Sequence, residues 1–179
     1  MEVFPRLESP RLFLREIREG DAEAIYRIYT DPRVVRYHNL ERLEGFEAAL
    51  SFAAWMQSLY PEGRGVRWGI EVRRSRDLIG TIGYEYLDAR QHGAELSYDL
   101  LPAYWGRGLM QEAVGAVLEY VRERTSLLYL EANAVLENRA SLRVLEKAGF
   151  VPQGEPYARE LPGGTIYRVQ RYRLEVDFR

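Results

Sequence analysis

Cysteine is absent from this 179-residue chain, which excludes disulfides, thiolate metal sites and a cysteine nucleophile. Histidine is nearly as scarce. His38 and His92 are the only two, too few for a histidine-based metal centre, so no metal is expected. No apolar run is long enough to cross a membrane and no signal-like segment opens the chain, so a cytoplasmic protein with no membrane partner is expected. Excess charge of one sign is lacking as well. The 25 Lys and Arg against 27 Asp and Glu are interspersed and leave a net charge of −2, which argues against direct nucleic-acid binding. Lysine itself is reduced to Lys147, a bias that genome base composition explains as readily as function.

What is present is the mixture of an ordinary globular protein, long enough to bury a real core as a single domain over residues 1–179. Arg11–Ile17 reads as a first strand, and Gly20-Asp21 opens a helix with Asp21 as its N-cap. Asp31-Pro32 starts a short helical turn. Phe46, Leu50, Ala53 and Met56 recur at helical spacing within Leu43–Leu59. A hairpin runs through Arg67–Arg73 and Leu78–Leu87. In the strand Gly93–Leu100, Ala94, Leu96, Tyr98 and Leu100 share one face, and Glu95, Ser97 and Asp99 the other. Further on lie a helix from Leu109, a strand Leu127–Asn133, a helix Arg139–Ala148 ended by Gly149, and strands from Phe150 and over Thr165–Val176. The sum is α+β: a mixed, mostly antiparallel sheet with helices on both faces.

One stretch carries the chemistry. Pro102-Ala103-Tyr104-Trp105-Gly106-Arg107-Gly108-Leu109-Met110-Gln111-Glu112-Ala113 leaves a strand, sets two glycines around an arginine, and enters an amphipathic helix. Glycines let backbone N–H groups approach a ligand, and the first turn of a helix adds unpaired N–H groups and partial positive charge. Together they suit an anion such as a phosphate or pyrophosphate. A tight turn that needs glycine only for its backbone angles would look the same. The Walker pattern does not fit, since its spacing and Lys-Ser/Thr are missing, and the dinucleotide fingerprint lacks its third glycine.

A second motif, Asn138-Arg139-Ala140-Ser141 followed by Glu146-Lys147-Ala148-Gly149-Phe150, lies about one helix and one strand further on. With Tyr104-Trp105-Gly106-Arg107-Gly108 it resembles the GNAT-type N-acetyltransferases, most closely their RimJ/RimL branch, which acetylates protein N-termini. The resemblance runs from Leu12-Phe13-Leu14-Arg15 to the last strand. It implies acetyl-CoA as donor, held by Trp105, Gly106, Arg107, Gly108, Leu109 and Met110 at the pyrophosphate. It implies backbone pairing of Tyr98, Asp99 and Leu100 with the pantetheine arm, in a gap opened where the neighbouring strand departs after Asn133. Asn138, which spacing alone reads as a helix N-cap, would bond the same arm, and Ser141 would be the general acid near the sulfur.

The partners so implied are acetyl-CoA and an amine acceptor: a protein N-terminus, or a small molecule such as an aminoglycoside, a polyamine or an amino-acid derivative. A non-catalytic acyl-CoA-binding module is the reading from another class, and a homodimer is compatible with the resemblance. Deprotonating an α-amine of pKa about 8 at pH 7 costs roughly 1.4 kcal/mol, against roughly 4–5 for a lysine, so an N-terminal amine needs only a modest base. Glu95 is the first candidate and Glu131 the second, with Tyr84 or Tyr98 as proton relays. Backbone N–H groups near Tyr98 to Leu100 would face the developing oxyanion. Tyr26, Tyr29, Tyr37, His38, Trp55 and Tyr84 are the candidate acceptor pocket, and Lys147 reads as a solvated helix-end cation.

Overall fold

A computed structural model describes residues 3–87 and 92–177. Its frame is a sheet of eight strands: β1 (Leu7–Glu8), β2 (Leu12–Glu16), β3 (Gly65–Val72), β4 (Leu78–Tyr86), β5 (Gly93–Leu100), β6 (Tyr129–Val135), β7 (Val151–Glu160) and β8 (Ile166–Glu175). The spatial order is β1-β2-β3-β4-β5-β6-β8-β7, and every neighbouring pair is antiparallel except β5 and β6. The helices are α1 (Ala22–Thr30), α2 (Pro32–Val35), α3 (Phe46–Ser58), α4 (Leu109–Arg124) and α5 (Arg139–Lys147).

The two sheet faces bury different things. Alternation along β3, β4 and β5 sends Val66, Trp68, Ile70, Ile82, Leu96 and Leu100 toward α4, whose Ala113, Val114, Val117 and Val121 are fully enclosed. Each enclosed aliphatic chain contributes roughly 1.5–3 kcal/mol, so this layer dominates stability. On the other face α1 and α3 pack Ile25, Ile28, Tyr29, Ala49, Ala53 and Met56 against Ile17 and Leu78. The α1 and α3 side of the sheet also buries Arg67, Glu71, Thr81 and Asp99, which alternate with the apolar set.

Three local expectations are corrected. Asp21 occupies the N-cap position of α1, but its side chain makes no capping bond to that helix. A 3-10 turn over Glu19–Asp21 precedes the helix, and the Asp21 carboxylate turns back to accept from Arg18 N–H (2.8 Å) and from both Arg15 Nη atoms (2.7 and 2.9 Å). Phe46 lies in the first turn of α3 and is 48 % exposed, because the buried stripe is Ala49, Ala53 and Met56. β5 and β6 pair only through Gly93–Glu95 and Tyr129–Glu131, so the strands diverge after Glu131 rather than after Asn133. Beyond Glu131 the strand β6 stays with β8, while β5 stays with β4 as far as Leu100. A gap opens between them.

Candidate active site

The glycine turn faces that gap. Gly106 and Gly108 adopt φ of 72° and 73°, the left-handed region that an L side chain enters only with strain. A Cβ on Gly106 would meet no atom within 4 Å, so the bend leaves open space for a ligand. The hydrogen-bond ladder of α4 starts with Glu112 N–H to Gly108 C=O, which leaves the amides of Leu109, Met110 and Gln111 ahead of it. These residues line a cleft of about 900 Å³ together with Tyr98, Leu100, Trp105, Asn138, Ser141 and the cations of α5. Met110 is 8 % exposed and packs into the core, so it leaves the turn clear.

The N-terminal end of the sheet holds the turn in place. Arg11 donates to the Arg107 C=O (2.9 Å) and through Nε to Glu112 (2.7 Å), while Ser9 Oγ donates to the same carboxylate (2.7 Å). Burial pushes the Glu112 carboxyl up, but these bonds outweigh it and hold it below the ordinary range. Its charge is thereby matched at a helix end that suits an anion. The Arg107 side chain is not among the walls of the cleft: its guanidinium lies over the Tyr104 ring at 5.5 Å. Positive charge comes instead from Arg139, Arg143 and Lys147, spaced by four residues along one side of α5, and from Arg33 and Arg36 at α2.

At the gap, Tyr98 Oη lies 3.0 Å from Ser141 Oγ. Ser141 N–H donates to Asn138 Oδ1 (3.2 Å), so Asn138 caps α5 and lines the cleft at once. Burial pushes the Tyr98 phenol far up, against a smaller opposing effect of the Ser141 bond. The expected backbone role of Asp99 is corrected. Leu87 N–H donates to Gly93 C=O and Leu101 N–H to Ile79 C=O, so the hydrogen-bonded pairs of β4 and β5 fall at odd residues of β5. Asp99 spends its backbone on Thr81; the backbone of Tyr98 faces the gap, and so does that of Leu100, whose C=O accepts from Trp105 Nε1 (2.6 Å).

A second cleft of about 520 Å³ meets the first at Tyr98, Asp99, Asn138 and Ser141. Its walls include Tyr37, His38, Trp55, Glu85, Glu95 and Arg159. Glu95 Oε1 accepts from Asn133 Nδ2 (3.0 Å), and Asn133 in turn accepts from Tyr157. Glu131 does not reach this cleft, since it faces Arg173 at 2.6 Å. Tyr26, Tyr29 and Tyr84 are also absent from its wall. Tyr84 is 1 % exposed, packed edge-on against Trp68, and its phenol is pushed up by burial, which removes it as a relay.

Tyr29 has a different place. Its hydroxyl donates to Asp99 Oδ2 (2.8 Å) and lies 2.7 Å from Thr81 Oγ1, fully enclosed. Arg67 Nη2 reaches Asp99 Oδ2 (3.1 Å), Tyr29 Oη (3.1 Å) and Thr81 Oγ1 (2.8 Å), and its Nη1 donates to Ser97 Oγ (2.5 Å). Burial raises the Asp99 carboxyl, yet His38, Arg67 and Tyr29 together hold it below the ordinary range. Among the described residues no group of His, Asp or Glu is arranged to hold a metal.

The acetyltransferase (GNAT) domain profile matches residues 11–151. The chain belongs to the GNAT acetyltransferase family. As a GNAT protein it is an acetyl-CoA-dependent N-acetyltransferase. It is 38 % identical to the uncharacterized N-acetyltransferase YoaA of Bacillus subtilis strain 168, over 96 % of this chain and 97 % of that one. Its GNAT fold matches RimL, a ribosomal L7/L12 α-N-protein acetyltransferase in complex with coenzyme A, with a TM-score of 0.84 at 19 % identity, covering 98 % and 99 % of the two chains. It matches the spermidine N-acetyltransferase of Vibrio cholerae in complex with CoA and spermine at 0.81 and 20 %, covering 94 % and 97 %.

The first cleft suits such a donor. The glycine bend is open, the α5 cations face it, and Gln111 Oε1 is buried beside it without a hydrogen-bond partner. Sequence reasoning missed Arg11, Arg67 and Gln111. The four-residue spacing of Arg139, Arg143 and Lys147 was a readable signal; Arg67, inside an apolar strand, offered none.

Proposed function

We propose that this GNAT protein transfers the acetyl group of acetyl-CoA to the α-amine of a protein N-terminus, with the donor in the first cleft and the acceptor in the second. The carrying observation is that the two clefts meet at Tyr98, Asn138 and Ser141, beside the backbone edge of β5 that β6 leaves uncovered. Bringing two reactants together in fixed geometry is the main source of rate for a direct aminolysis. The turn Trp105–Met110 grips the pyrophosphate by backbone N–H groups, and the α5 cations supply charge beside it. Tyr98 and Leu100 offer their backbone to the pantetheine as an added strand does. Acetyl-CoA supplies an activated acyl group at that junction. The Tyr98 and Ser141 hydroxyls, within hydrogen-bond distance of each other, deliver a proton to the departing sulfur.

Glu95 draws the acceptor ammonium toward the junction by charge, with Asn133 fixing one carboxylate oxygen. The second cleft is walled by residues from α2 to β8, which leaves room for several residues of an extended peptide. A small polyamine is the second reading, because Glu85 and Glu95 face each other in register across β4 and β5 and both reach that cleft. Like charges so placed repel unless a cation lies between them.

Calorimetry with acetyl-CoA and thioester consumption on free and α-blocked peptides and on polyamines test this reading. Free α-amines should turn over and blocked ones should not, and Gly108→Asp should weaken donor binding at least about a hundredfold, where the uncharged Gly108→Asn has a smaller effect. Unchanged donor affinity in Gly108→Asp would move the donor site. Faster turnover of polyamines than of peptides would favour the second reading, and tight binding with no turnover would make the chain a binding module.

A further inference from the structure

The charges of the second cleft are unevenly placed. At one end Glu85 and Glu95 stand side by side across β4 and β5. In the middle, Arg67 and His38 are both tied to Asp99, at 3.1 and 2.9 Å. The far end carries a single cation, Arg159 on β7. Other arginines of the hairpin are engaged: Arg168 donates to Pro156 C=O (3.1 Å) and Arg173 to Glu131 (2.6 Å). Arg159 is partly buried, yet among the described residues no ion pair or hydrogen bond ties down its guanidinium. Shielding such a cation from water has a cost that the anion of a ligand would offset. Its direction follows from the strand. The β7 ladder shifts register between Gln153 and Tyr157, then resumes with Tyr157 opposite Val169 and Arg159 opposite Tyr167. Tyr157 Oη donates to Asn133 Oδ1 (3.3 Å) and Asn133 Nδ2 to Glu95 (3.0 Å), so Tyr157 faces the cleft side of the sheet. Arg159, two residues on, shares that face, as does Val169, which lines the same cleft. A line of contacts thus leads from Glu95 through Asn133 and Tyr157 toward Arg159.

We propose that Arg159 is a specificity-determining residue, selecting acceptor N-termini that carry a carboxylate side chain at the second or third residue. This rests on the α-amine reading given above. With the ammonium drawn to Glu95, an extended peptide advances about 3.4 Å per residue, and β7 lies two strand spacings, about 10 Å, from β6. The second and third residues therefore come within reach of a long arginine side chain, and alternation aims only one of them at it. A guanidinium can then grip the carboxylate through two N–H groups. The same layout discriminates against a polyamine. Its first cation suits Glu85 and Glu95, but a cation at the far end of its spacer meets Arg159, and like charges so placed reject the wrong acceptor.

The test is acetylation of matched peptides that differ only in having Asp, Ala or Lys at the second or the third residue. In the wild type, Asp at one of those positions should exceed Lys there in kcat/KM by about tenfold, mostly through KM. That ratio should shrink at about 0.3 M salt. Arg159→Gln should bring it within about threefold, and Arg159→Glu should invert it so that Lys is preferred. Arg171→Glu makes the same charge change on the same hairpin but outside the cleft wall, and should keep the wild-type preference. An inverted preference is a readout that damage to the fold would not give, and the wild-type ratio decides even where a variant fails to fold. Equal rates whatever the charge overturn the proposal and leave α-amine acetylation standing. So does an Asp preference that survives in Arg159→Glu, or one that Arg171→Glu removes as well. If no peptide turns over, the α-amine reading itself fails and the selectivity falls with it.

Discussion

Arg67 and Asp99 stand on strands separated by β4 and meet at 3.1 Å, their side chains only 6 % and 5 % exposed. Thr81, on the intervening strand, accepts from the same guanidinium, and Tyr29 closes the cluster from α1. Every strong donor and acceptor in this group has a partner, so the cluster ties α1 to three strands at the junction of the two clefts.

Breaking that pair from one side should be costly. Arg67→Met would leave Asp99 buried without its cation and should lower unfolding stability by roughly 3–5 kcal/mol in urea denaturation. Arg67→Met with Asp99→Asn should recover some of the loss, since the stranded charge is then gone.

Acid should unfold the protein through its paired carboxylates. Asp21, Asp99 and Glu112 are held below the ordinary range in the fold, whereas in the unfolded chain they titrate near about 4. Their stabilisation is therefore complete above the unfolded value and is lost as pH falls through the lower folded values. Unfolding free energy should stay level down to about pH 5 and then fall, and Asp21→Asn should flatten that fall. Denaturation curves between pH 2 and 7 measure it.

The Tyr98 and Ser141 hydroxyls should act as one unit. Burial keeps the Tyr98 phenol protonated across the working range, so it can donate at every pH at which the enzyme is assayed. Tyr98→Phe and Ser141→Ala should each lower kcat about 10- to 100-fold, and the double variant should be little worse than either. Steady-state rates of the three variants decide this.

Those hydroxyls also mark how far the sequence could be read. Ser141 and its cap Asn138 are three residues apart, and the two glycines lie one turn ahead of α4, so local spacing carried them. The alternation of β5 was legible for the same reason and correctly put Glu95 and Asp99 on one face. Arg67 and Asp99 are 32 positions apart and Arg11 and Glu112 are 101 apart, so only the folded sheet reveals these pairs. Tyr29 and Tyr84 looked like pocket residues because an aromatic carries no mark of which layer encloses it. The point where β5 and β6 diverge was misjudged because neither strand carries a local mark of where their pairing ends.

The α5 cations should matter through charge rather than through one fixed contact. Arg139, Arg143 and Lys147 line one edge of the donor cleft, exposed to solvent. Arg143→Gln should weaken acetyl-CoA binding by about five- to tenfold in dilute buffer, and by less at about 0.3 M salt, where screening shortens the reach of each charge. Calorimetry at the two ionic strengths separates this from a shape effect, which salt would not change.

Tryptophan emission should report the two clefts separately. Trp68 is fully enclosed, whereas Trp105 is 46 % exposed on the donor cleft and Trp55, stacked on Phe52 at 5.3 Å, lines the acceptor cleft. Donor binding removes Trp105 from water beside the glycine turn, so acetyl-CoA should change the emission of the wild type and of Trp55→Phe, and change it little in Trp105→Phe. A productive amine should act in the opposite sense, perturbing Trp105→Phe and leaving Trp55→Phe nearly unaltered. Trp105 also donates to the Leu100 carbonyl at 2.6 Å, so Trp105→Phe frees a backbone group at the edge of the gap and should raise KM for acetyl-CoA severalfold. A donor signal that persists in Trp105→Phe and vanishes in Trp55→Phe would mean that the two clefts have been assigned the wrong way round.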